Sequence, residues 1–410
     1  MKSTDMNTTH MTNTTRTNTR SKPRQGLLPR LQRFWADFYA PFTVDAQLFT
    51  VTMSLCLFGL VVLFSASAAL GQDAYQSKLY FVVRQAGFMG IGLFVMWVMA
   101  WMKETRLKKM IWGVAWITLG LLILTQLVGD TANGSERWLQ LGPIRFQTSE
   151  LAKPAIALLL AGAFSHTSFR RKEYLVKAIM MCLVIIALVF KQPNLSITLL
   201  LGSCLVSTSF LAGWSTLFYA VGLPIGGFVL FEKIKNTPYQ WRRIEGWLNP
   251  WADPQDVGYN IIQSYYAIVG GGLWGRGFGN SIQKLSYLPF QHTDFIFAVI
   301  CEELGIVGAV GMLMLYAWLT IRGLNIARQA DTPFKQLLAF ALTWLITMQA
   351  VINMSVAIGL FPVTGVTLPL ISYGGTSVVI TLAMIGALFA LAKPNSNTNT
   401  EIHRYSHIQK

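Results

Sequence analysis

Charged residues are scarce in this chain of 410 residues. Only 12% of its residues are Asp, Glu, Lys or Arg, whereas 53% are hydrophobic. A soluble globular domain carries roughly 25% charged residues, so the composition excludes an ordinary soluble protein and indicates an integral membrane protein. Cysteine is scarce too: the four cysteines all lie in apolar stretches and lack the spacing of metal ligands. Neither a disulfide framework nor a zinc site is therefore supported.

Long apolar runs recur from Ala46 to Ala392, each close to the ~20 residues that cross a bilayer. They predict an all-α, polytopic membrane protein with about ten transmembrane helices. The predicted spans are 46–70, 80–102, 108–129, 149–165, 174–190, 195–213, 215–233, 294–321, 336–360 and 371–392. Because the first apolar run begins after position 40, a cleavable signal peptide is not expected.

The net charge of +15 is distributed in a way that fits a membrane better than a nucleic acid. Basic residues cluster in the N-terminal tail and in alternate short loops, which the positive-inside rule places in the cytoplasm together with both termini. We divide the chain into a mostly disordered tail at 1–45, a transmembrane domain at 46–392 and a second tail at 393–410. The outward side then carries a loop at 130–148 and a large loop at 234–293, between helices 7 and 8.

Asp294 stands where the large outer loop meets a long apolar run. An ionised carboxylate costs roughly 2.5–3.5 kcal/mol at the centre of a bilayer, so such residues are rarely kept without a use. Two interpretations are open: Asp294 is a functional acid, or it caps the N-terminus of the helix that follows. Glu302 would lie roughly 12 Å deeper, too far for a two-carboxylate catalytic pair. We expect Glu302 or Glu303 to pair with a neighbouring helix.

Two clusters on the outer side offer positive charge. Glu150 and Lys153, three residues apart on one helical face, form either a structural ion pair or a site where Lys153 meets a phosphate. Arg242, Arg243 and Arg276 suit bidentate recognition of a diphosphate. The glycine-rich run at 270–279 neither follows a strand nor opens a βαβ unit, so a dinucleotide site is disfavoured. Its glycines more plausibly let backbone approach a ligand or the membrane edge.

A further polar set lies at 349–377 and includes Gln349, Asn353 and Ser372. Its prolines and glycines at membrane depth predict a broken segment that is buried in protein. No Ser-His-Asp arrangement is evident, and His292 is expected to support the loop rather than to act as a base.

Five motifs together resemble those of the SEDS family of bacterial membrane proteins, which is named for shape, elongation, division and sporulation. They are GSERWLQLG with QTSELAK, QPNLS at 192–196, GYNIIQS at 258–264, YLPFQHTDFIFAVICEELG at 287–305 and FPVTGVTLPLISYGGTS at 361–377. The resemblance runs from 46 to 392 and leaves out only the tails. The KLSYLP segment before HTDFIF and the long N-terminal tail favour the division branch over the elongation branch.

The resemblance implies a ten-helix fold and a peptidoglycan glycosyltransferase of the cytoplasmic membrane. Such an enzyme polymerises lipid II into β-1,4 glycan strands at the outer face, here for septal synthesis in cell division. The implied partners are a class B penicillin-binding protein and other divisome proteins, with no nucleic acid. Asp294 matches the essential aspartate of the family, and Trp138 matches an important outer-loop tryptophan. The other substrate-binding residues that we predict are Glu150, Lys153, Arg242, Arg243, Arg276 and Ser372.

Three positions depart from the family pattern: Asn194 replaces an aspartate, Thr148 a proline and Phe290 an acid. These departures weaken any functional role at those positions. No protein metal ligand is predicted, although a divalent cation, Mg²⁺ or Mn²⁺, is a candidate cofactor because a leaving diphosphate needs positive charge. The alternatives are a lipid II flippase, a non-enzymatic division scaffold and an elongation polymerase. The flippase is disfavoured because no inverted repeat is evident.

Overall fold

The computed structural model describes residues 42–128, 130–132, 135–141, 144–165, 171–192, 194–284 and 287–393. Within them the chain forms mainly helices. These are α1 (Ala46–Tyr75), α2 (Tyr80–Ala100), α3 (Glu104–Val128), α4 (Thr148–Ser165), α5 (Arg171–Lys191), α6 (Leu195–Leu211), α7 (Thr216–Lys235), α8 (Pro238–Leu248), α9 (Tyr259–Gly271), α10 (Ile296–Arg328), α11 (Pro333–Ala357) and α12 (Gly375–Ala392). The predicted tails lie outside the described residues, except for 42–45 and Lys393.

Eight of these helices are long and apolar enough to cross a membrane, namely α1, α2, α3, α5, α7, α10, α11 and α12. Helices α4 and α6 account for the other two predicted spans. Helix α6 is shorter, and α4 opens with a polar turn that contains Glu150 and Lys153. All ten predicted spans are therefore present as helices, and the ends differ by a few residues except in α10, which continues to Arg328 instead of ending near 321.

The centre of the molecule is formed by α4 and α11, which pack against each other. Helix α4 is buried along almost its whole length, and its core residues are largely Ala and Leu. Elsewhere small residues allow close approach: a Cβ built on Gly386 of α12 would lie 2.4 Å from the Met96 carbonyl oxygen of α2. Such contacts matter because lipid provides no hydrophobic drive between helices, so tight packing has to hold them together. Helix α7 differs, since none of its residues is buried.

The outer loop at 130–148 contains three strands that the all-α prediction missed. Strands β1 (Asp130–Ala132), β2 (Ser135–Leu141) and β3 (Ile144–Gln147) form an antiparallel sheet in the order β1-β2-β3. In this sheet Trp138 pairs with Gln147. Strand β3 runs directly into α4, and the Gln147 N–H donates to the hydroxyl of Thr376 at 3.3 Å. The sheet is therefore fixed to the first turn of α12.

The large outer loop at 234–293 contains two helices, α8 and α9. Both helices lie on the C-terminal end of α11. The indole N–H of Trp247 donates to the Gly359 carbonyl at 2.8 Å, and the Ser264 hydroxyl donates to the Ala357 carbonyl at 2.6 Å. These contacts place α8 beside the non-helical stretch that follows α11.

Candidate active site

Asp294 lies in a tight turn immediately before α10. The N–H groups of Thr293, Asp294 and Phe295 point at the carbonyl of Phe290, at 3.0, 3.1 and 3.3 Å. The helix begins at Ile296, and its N-cap is Phe295, which makes no side-chain capping bond. Asp294 therefore stands one residue before the capping position. Its half-buried carboxylate at the entrance of a membrane helix is a candidate functional acid.

The backbone of this turn is held by the stretch between α11 and α12, residues 361–374, which we call the connecting segment. Two of the contacts come from the segment itself, and a third comes from the last turns of α11. They are the Ser372 hydroxyl with the Thr293 carbonyl (2.5 Å), the Tyr373 N–H with the His292 carbonyl (2.9 Å) and the Asn353 amide with the Asp294 carbonyl (2.9 Å). Consecutive carbonyls around Asp294 are thus fixed, which preorganises its carboxylate.

The connecting segment joins the parts of the site, as the prediction of a broken, buried segment implied. Four of its carbonyls accept hydrogen bonds from side chains of α6, α8 and α11. Val363 accepts from Arg243, Thr364 from Ser196, Val366 from Asn353 and Thr367 from Gln349. Gly365 lies between them with φ +70°, and a Cβ built on it would lie 3.5 Å from Asp294 Oδ2. The segment therefore presents bare backbone to the carboxylate.

Glu302 and Glu303 are occupied by structural contacts. Glu302 is buried and accepts from the Ser281 hydroxyl, from the Ile282 N–H at 2.9 Å and from the Gln283 N–H at 3.3 Å. Glu303 is also buried; it accepts from Ser65 of α1 and pairs with the Lys284 ammonium at 2.8 Å. The prediction that one glutamate pairs with a neighbouring helix is confirmed for Glu303.

The glycine-rich run docks on a break in α10. Gly305 has φ +67° and ψ −162°, which interrupts the helix. Around the break, backbone bonds join the two stretches: Arg276 N–H to Glu302 O (2.9 Å), Gly277 N–H to Glu303 O (3.0 Å) and Ile306 N–H to Gly272 O (3.0 Å). The glycines therefore allow backbone to approach the helix that follows Asp294, and they do so at protein rather than at a ligand.

We expect Gly275→Ala to destabilise the protein more than Gly279→Ala. Both glycines have a left-handed φ, +80° and +83°, so alanine is strained by roughly 1–2 kcal/mol at either position. A Cβ on Gly275 would also lie 2.1 Å from the Glu303 carbonyl oxygen, whereas nothing lies within 4 Å of one on Gly279. Overpacking should add about 1–3 kcal/mol at Gly275 alone. Thermal unfolding in detergent measures the difference, and equal losses would contradict the docking.

Lys153 and Glu150 form the ion pair that their spacing allows. The Lys153 ammonium lies 2.6 Å from Glu150 Oε2 and donates to Gln349 Oε1 at 2.5 Å. Lys153 has no exposed surface. Gln349 in turn donates to the Thr367 carbonyl at 2.9 Å. Lys153 can therefore act on the site through Gln349 and the connecting segment, whereas this arrangement offers it no direct contact with a phosphate.

The three predicted arginines lie in different places. Arg242 is exposed and pairs with Asp256. Arg243 donates to the Val363 carbonyl at 3.1 Å, and its guanidinium lies 4.5 Å from the ring centroid of Tyr239. Arg276 donates to the Gly270 carbonyl and lies 3.4 Å from Glu302, at the break of α10. Of the three, Arg243 is the one in contact with the connecting segment.

Two further predicted residues, Ser372 and Trp138, lie at positions that the structure describes. The Ser372 hydroxyl is buried, accepts from the Leu368 N–H at 2.8 Å and supports the Asp294 turn, so its role here is positional. Trp138 is partly exposed in β2, on the sheet that Thr376 fixes to α12. The structure thus brings Asp294, Ser372 and Arg243 to the connecting segment and leaves Arg242 in the α8–α9 region.

Gln240 was not among the predicted residues, and Asn353 was predicted as part of the polar set at 349–377 without a role. Asn353 and Gln349 could have been recognised from the sequence, because they are polar residues four apart in an otherwise apolar span and hence share one face. Gln240 carries no such signal, since it is an ordinary polar residue of the mostly polar helix α8.

Two of the three departures from the family pattern, Asn194 and Thr148, make local side-chain contacts. The Asn194 side chain caps α6 and donates to the Ser149 hydroxyl at 3.2 Å. The Thr148 hydroxyl accepts from that of Thr125 at 3.0 Å. Phe290 is exposed and contributes its carbonyl to the Asp294 turn.

Burial against aromatic rings lowers the pKa of His292 from its ordinary value of 6.5 to about 4. Its ring lies 4.9 Å from that of Phe81 and 5.9 Å from that of Tyr373. Histidine in an unfolded chain titrates near its ordinary value of about 6.5. Between about pH 6.5 and about pH 4 the unfolded chain therefore binds more protons, and stability falls as the pH is lowered through that window.

We accordingly expect the unfolding temperature to fall on acidification from about pH 7.5 to about pH 5, and to fall less in His292→Gln, which does not titrate. The measurement is thermal unfolding in detergent at several pH values. Identical pH profiles for the two proteins would show that His292 is not the titrating group.

No group of three or more His, Cys, Asp and Glu side chains converges within the described residues. The carboxylates of Glu302 and Glu303 are already engaged. Mg²⁺ is commonly held by one or two carboxylates together with substrate phosphates rather than by an all-protein cage. Asp294 fits that arrangement if a diphosphate is bound beside it.

The chain is similar to known proteins over most of its length. Residues 46–397 match the family model of the cell cycle proteins FtsW, RodA and SpoVE. Stage V sporulation protein E of Bacillus subtilis (strain 168) is 37% identical over 360 residues, which cover 85% of this chain and 97% of that protein. The FtsW protein of Legionella pneumophila, named a probable peptidoglycan glycosyltransferase, is 35% identical over 359 residues, covering 86% of this chain and 91% of that protein.

Solved structures share the fold. A chain from a peptidoglycan synthase complex, studied for its structural coordination of polymerization and crosslinking, aligns with a TM-score of 0.70 at 30% identity. That alignment covers 85% of this chain and 97% of the other. The rod shape determining protein RodA of Thermus thermophilus aligns with a TM-score of 0.64 at 28% identity, covering 85% of this chain and 96% of RodA.

Proposed function

The chain belongs to the FtsW, RodA and SpoVE family of cell cycle proteins, and we propose that it is a peptidoglycan glycosyltransferase that polymerises lipid II for septal synthesis. The observation that carries this proposal is the preorganised turn of Asp294. A half-buried carboxylate, outside the capping position, is held at the start of a membrane helix by contacts from the connecting segment and α11. Such a group could accept a proton from an attacking hydroxyl.

In this reaction two lipid-linked substrates meet at the outer leaflet. Asp294 takes the proton of the acceptor 4-hydroxyl while that oxygen attacks the anomeric carbon of the donor. The new glycosidic bond forms as the bond to the diphosphate breaks, and the diphosphate leaves with the electron pair. An α-linked donor then gives a β-linked product by inversion. A positioned general base contributes about 10²–10⁴-fold to such a step.

Positive charge near the leaving diphosphate lowers the barrier further. Arg243 is our preferred candidate, because it is partly exposed and contacts the same segment that faces Asp294. Arg242 and Arg276 carry their own acidic partners, Asp256 and Glu302. If a divalent cation is bound with the diphosphate, Asp294 could help to hold it, and the cation would neutralise charge on the leaving group.

The partner and the location are part of the proposal. The chain is a multi-pass membrane protein. The similar chain from a peptidoglycan synthase complex supports a partner that crosslinks the strands, which we take to be a class B penicillin-binding protein. We place both termini in the cytoplasm from the basic alternate loops. Similarity to a named FtsW supports the division septum as the location, with elongation as the alternative because RodA shares the fold.

Gel-resolved polymerisation of labelled lipid II tests the function. The purified protein, with and without its transpeptidase partner, is expected to convert lipid II into a ladder of glycan strands. Transfer of lipid II across liposomes, without polymer from either preparation, would instead identify a flippase. Absence of both activities would leave the scaffold as the function.

A further inference from the structure

A small pocket lies between α8, the start of α6 and the connecting segment. It encloses about 20 Å³ and is lined mainly by Leu195, Gln240, Arg243, Ile244, Pro362 and Thr364. A buried water needs about 10–15 Å³, so this space admits the end of a substituent but not a sugar ring. We call it the Gln240 pocket.

Two residues that line this pocket each carry a buried side-chain oxygen that has no hydrogen-bond partner within the described part of the chain. The two oxygens are Oε1 of Gln240 and Oγ1 of Thr364, in residues that are only 5% and 6% exposed. Buried polar groups in native proteins are nearly always hydrogen-bonded, because an unsatisfied one costs about 1–3 kcal/mol. Because both residues line one pocket, a ligand there with matching polar atoms could satisfy the two oxygens.

Resting on the proposed function, we propose that the Gln240 pocket binds the acetamido group of a substrate amino sugar. The amide N–H of that group would donate to Gln240 Oε1. The Thr364 hydroxyl would donate to its carbonyl, and its methyl would contact the apolar side chains of Leu195, Ile244 and Pro362. A bare hydroxyl could satisfy the polar atoms but would leave the apolar wall uncovered.

The pocket is linked to Asp294 through the connecting segment. Thr364 directly precedes Gly365, whose built Cβ would lie 3.5 Å from Asp294 Oδ2. The Thr364 carbonyl is fixed by Ser196 at 3.0 Å, and the Val363 carbonyl is fixed by Arg243 at 3.1 Å. An acetamido group seated here sets the sugar ring in register with Asp294. The pocket therefore selects amino sugars over hexoses that lack the group.

The test compares lipid II with a synthetic analogue in which hydroxyl groups replace the acetamido groups. Wild type should polymerise the analogue at least about tenfold less efficiently in kcat/KM. Thr364→Val keeps the shape and removes the hydroxyl, so it should lose about tenfold on lipid II while the preference for lipid II over the analogue shrinks. Thr364→Ser should retain most activity and preference. Thr347→Val, whose hydroxyl pairs with Thr320 in the helices, is the matched control and should be unchanged.

Unfolding temperatures establish that the variants are folded; if Thr364→Val is not, Gln240→Met replaces it, with the same expectation. A variant that is active on lipid II and keeps the full wild-type preference would overturn the acetamido contact and leave the glycosyltransferase intact. Wild-type protein that makes no polymer from lipid II would overturn the proposed function, and the acetamido contact with it.

Discussion

Asp294→Asn is expected to lose about 10²–10⁴-fold in glycan polymerisation while the protein stays folded. Asparagine has nearly the same shape but cannot take the proton of an attacking hydroxyl. The turn should persist, because the Asn353 amide and the N–H groups of residues 293–295 bind backbone carbonyls that the substitution keeps. The measurement is the rate of polymer formation from labelled lipid II, with the transpeptidase partner present, alongside the unfolding temperature in detergent.

Asp73→Asn is a suitable control for this substitution. Asp73 is an exposed carboxylate near the C-terminal end of α1, on the outer side by the predicted topology, so the same change of charge should leave polymerisation unaffected. Full polymerase activity in Asp294→Asn would exclude this carboxylate as the base. A large fall in its unfolding temperature would instead assign Asp294 to stability.

The membrane helices could be predicted because their signal is local. An apolar run of sufficient length has few alternatives to a spanning helix, which is why even the two charged residues at the start of α4 did not obscure it. The sheet at 130–147 and the helices α8 and α9 depend on contacts with distant residues, such as Thr376 and Gly359. The break at Gly305 is likewise set by the approach of Gly272 and Gly275, some thirty positions earlier along the chain.

The site was predictable residue by residue but not as an arrangement. The cost of a carboxylate at the membrane made Asp294 a candidate from the sequence alone. That Asn353 and Ser372 hold its turn depends on chain segments far apart in the sequence, which no local pattern encodes. For Glu150 and Lys153 the spacing allowed both an ion pair and a phosphate site, and only the burial of Lys153 shows which arrangement the folded chain adopts.

Lys153→Met is expected to destabilise the protein by about 3–5 kcal/mol, because it leaves the buried carboxylate of Glu150 without its cation. Methionine fills a similar volume, so a cavity does not explain the loss. Gln349 also loses the donor to its Oε1 and with it part of its orientation toward Thr367. Thermal and denaturant unfolding in detergent measure the change, and polymerisation of lipid II by the surviving folded protein is followed in parallel.

The double variant Glu150→Gln, Lys153→Met separates the two interpretations of this lysine. If Lys153 serves the ion pair, removing both charges should restore most of the lost stability, since a neutral buried pair is no worse than a charged one. The coupling free energy between the two substitutions, obtained from a double-mutant cycle of unfolding free energies, should then be on the order of 1 kcal/mol or more. A Lys153→Met protein that keeps its stability but loses polymerisation would contradict the structural interpretation. It would indicate that Lys153 binds the diphosphate directly. That result would require the Lys153 ammonium to leave Glu150 and Gln349 during the reaction, since both hold it within the bundle.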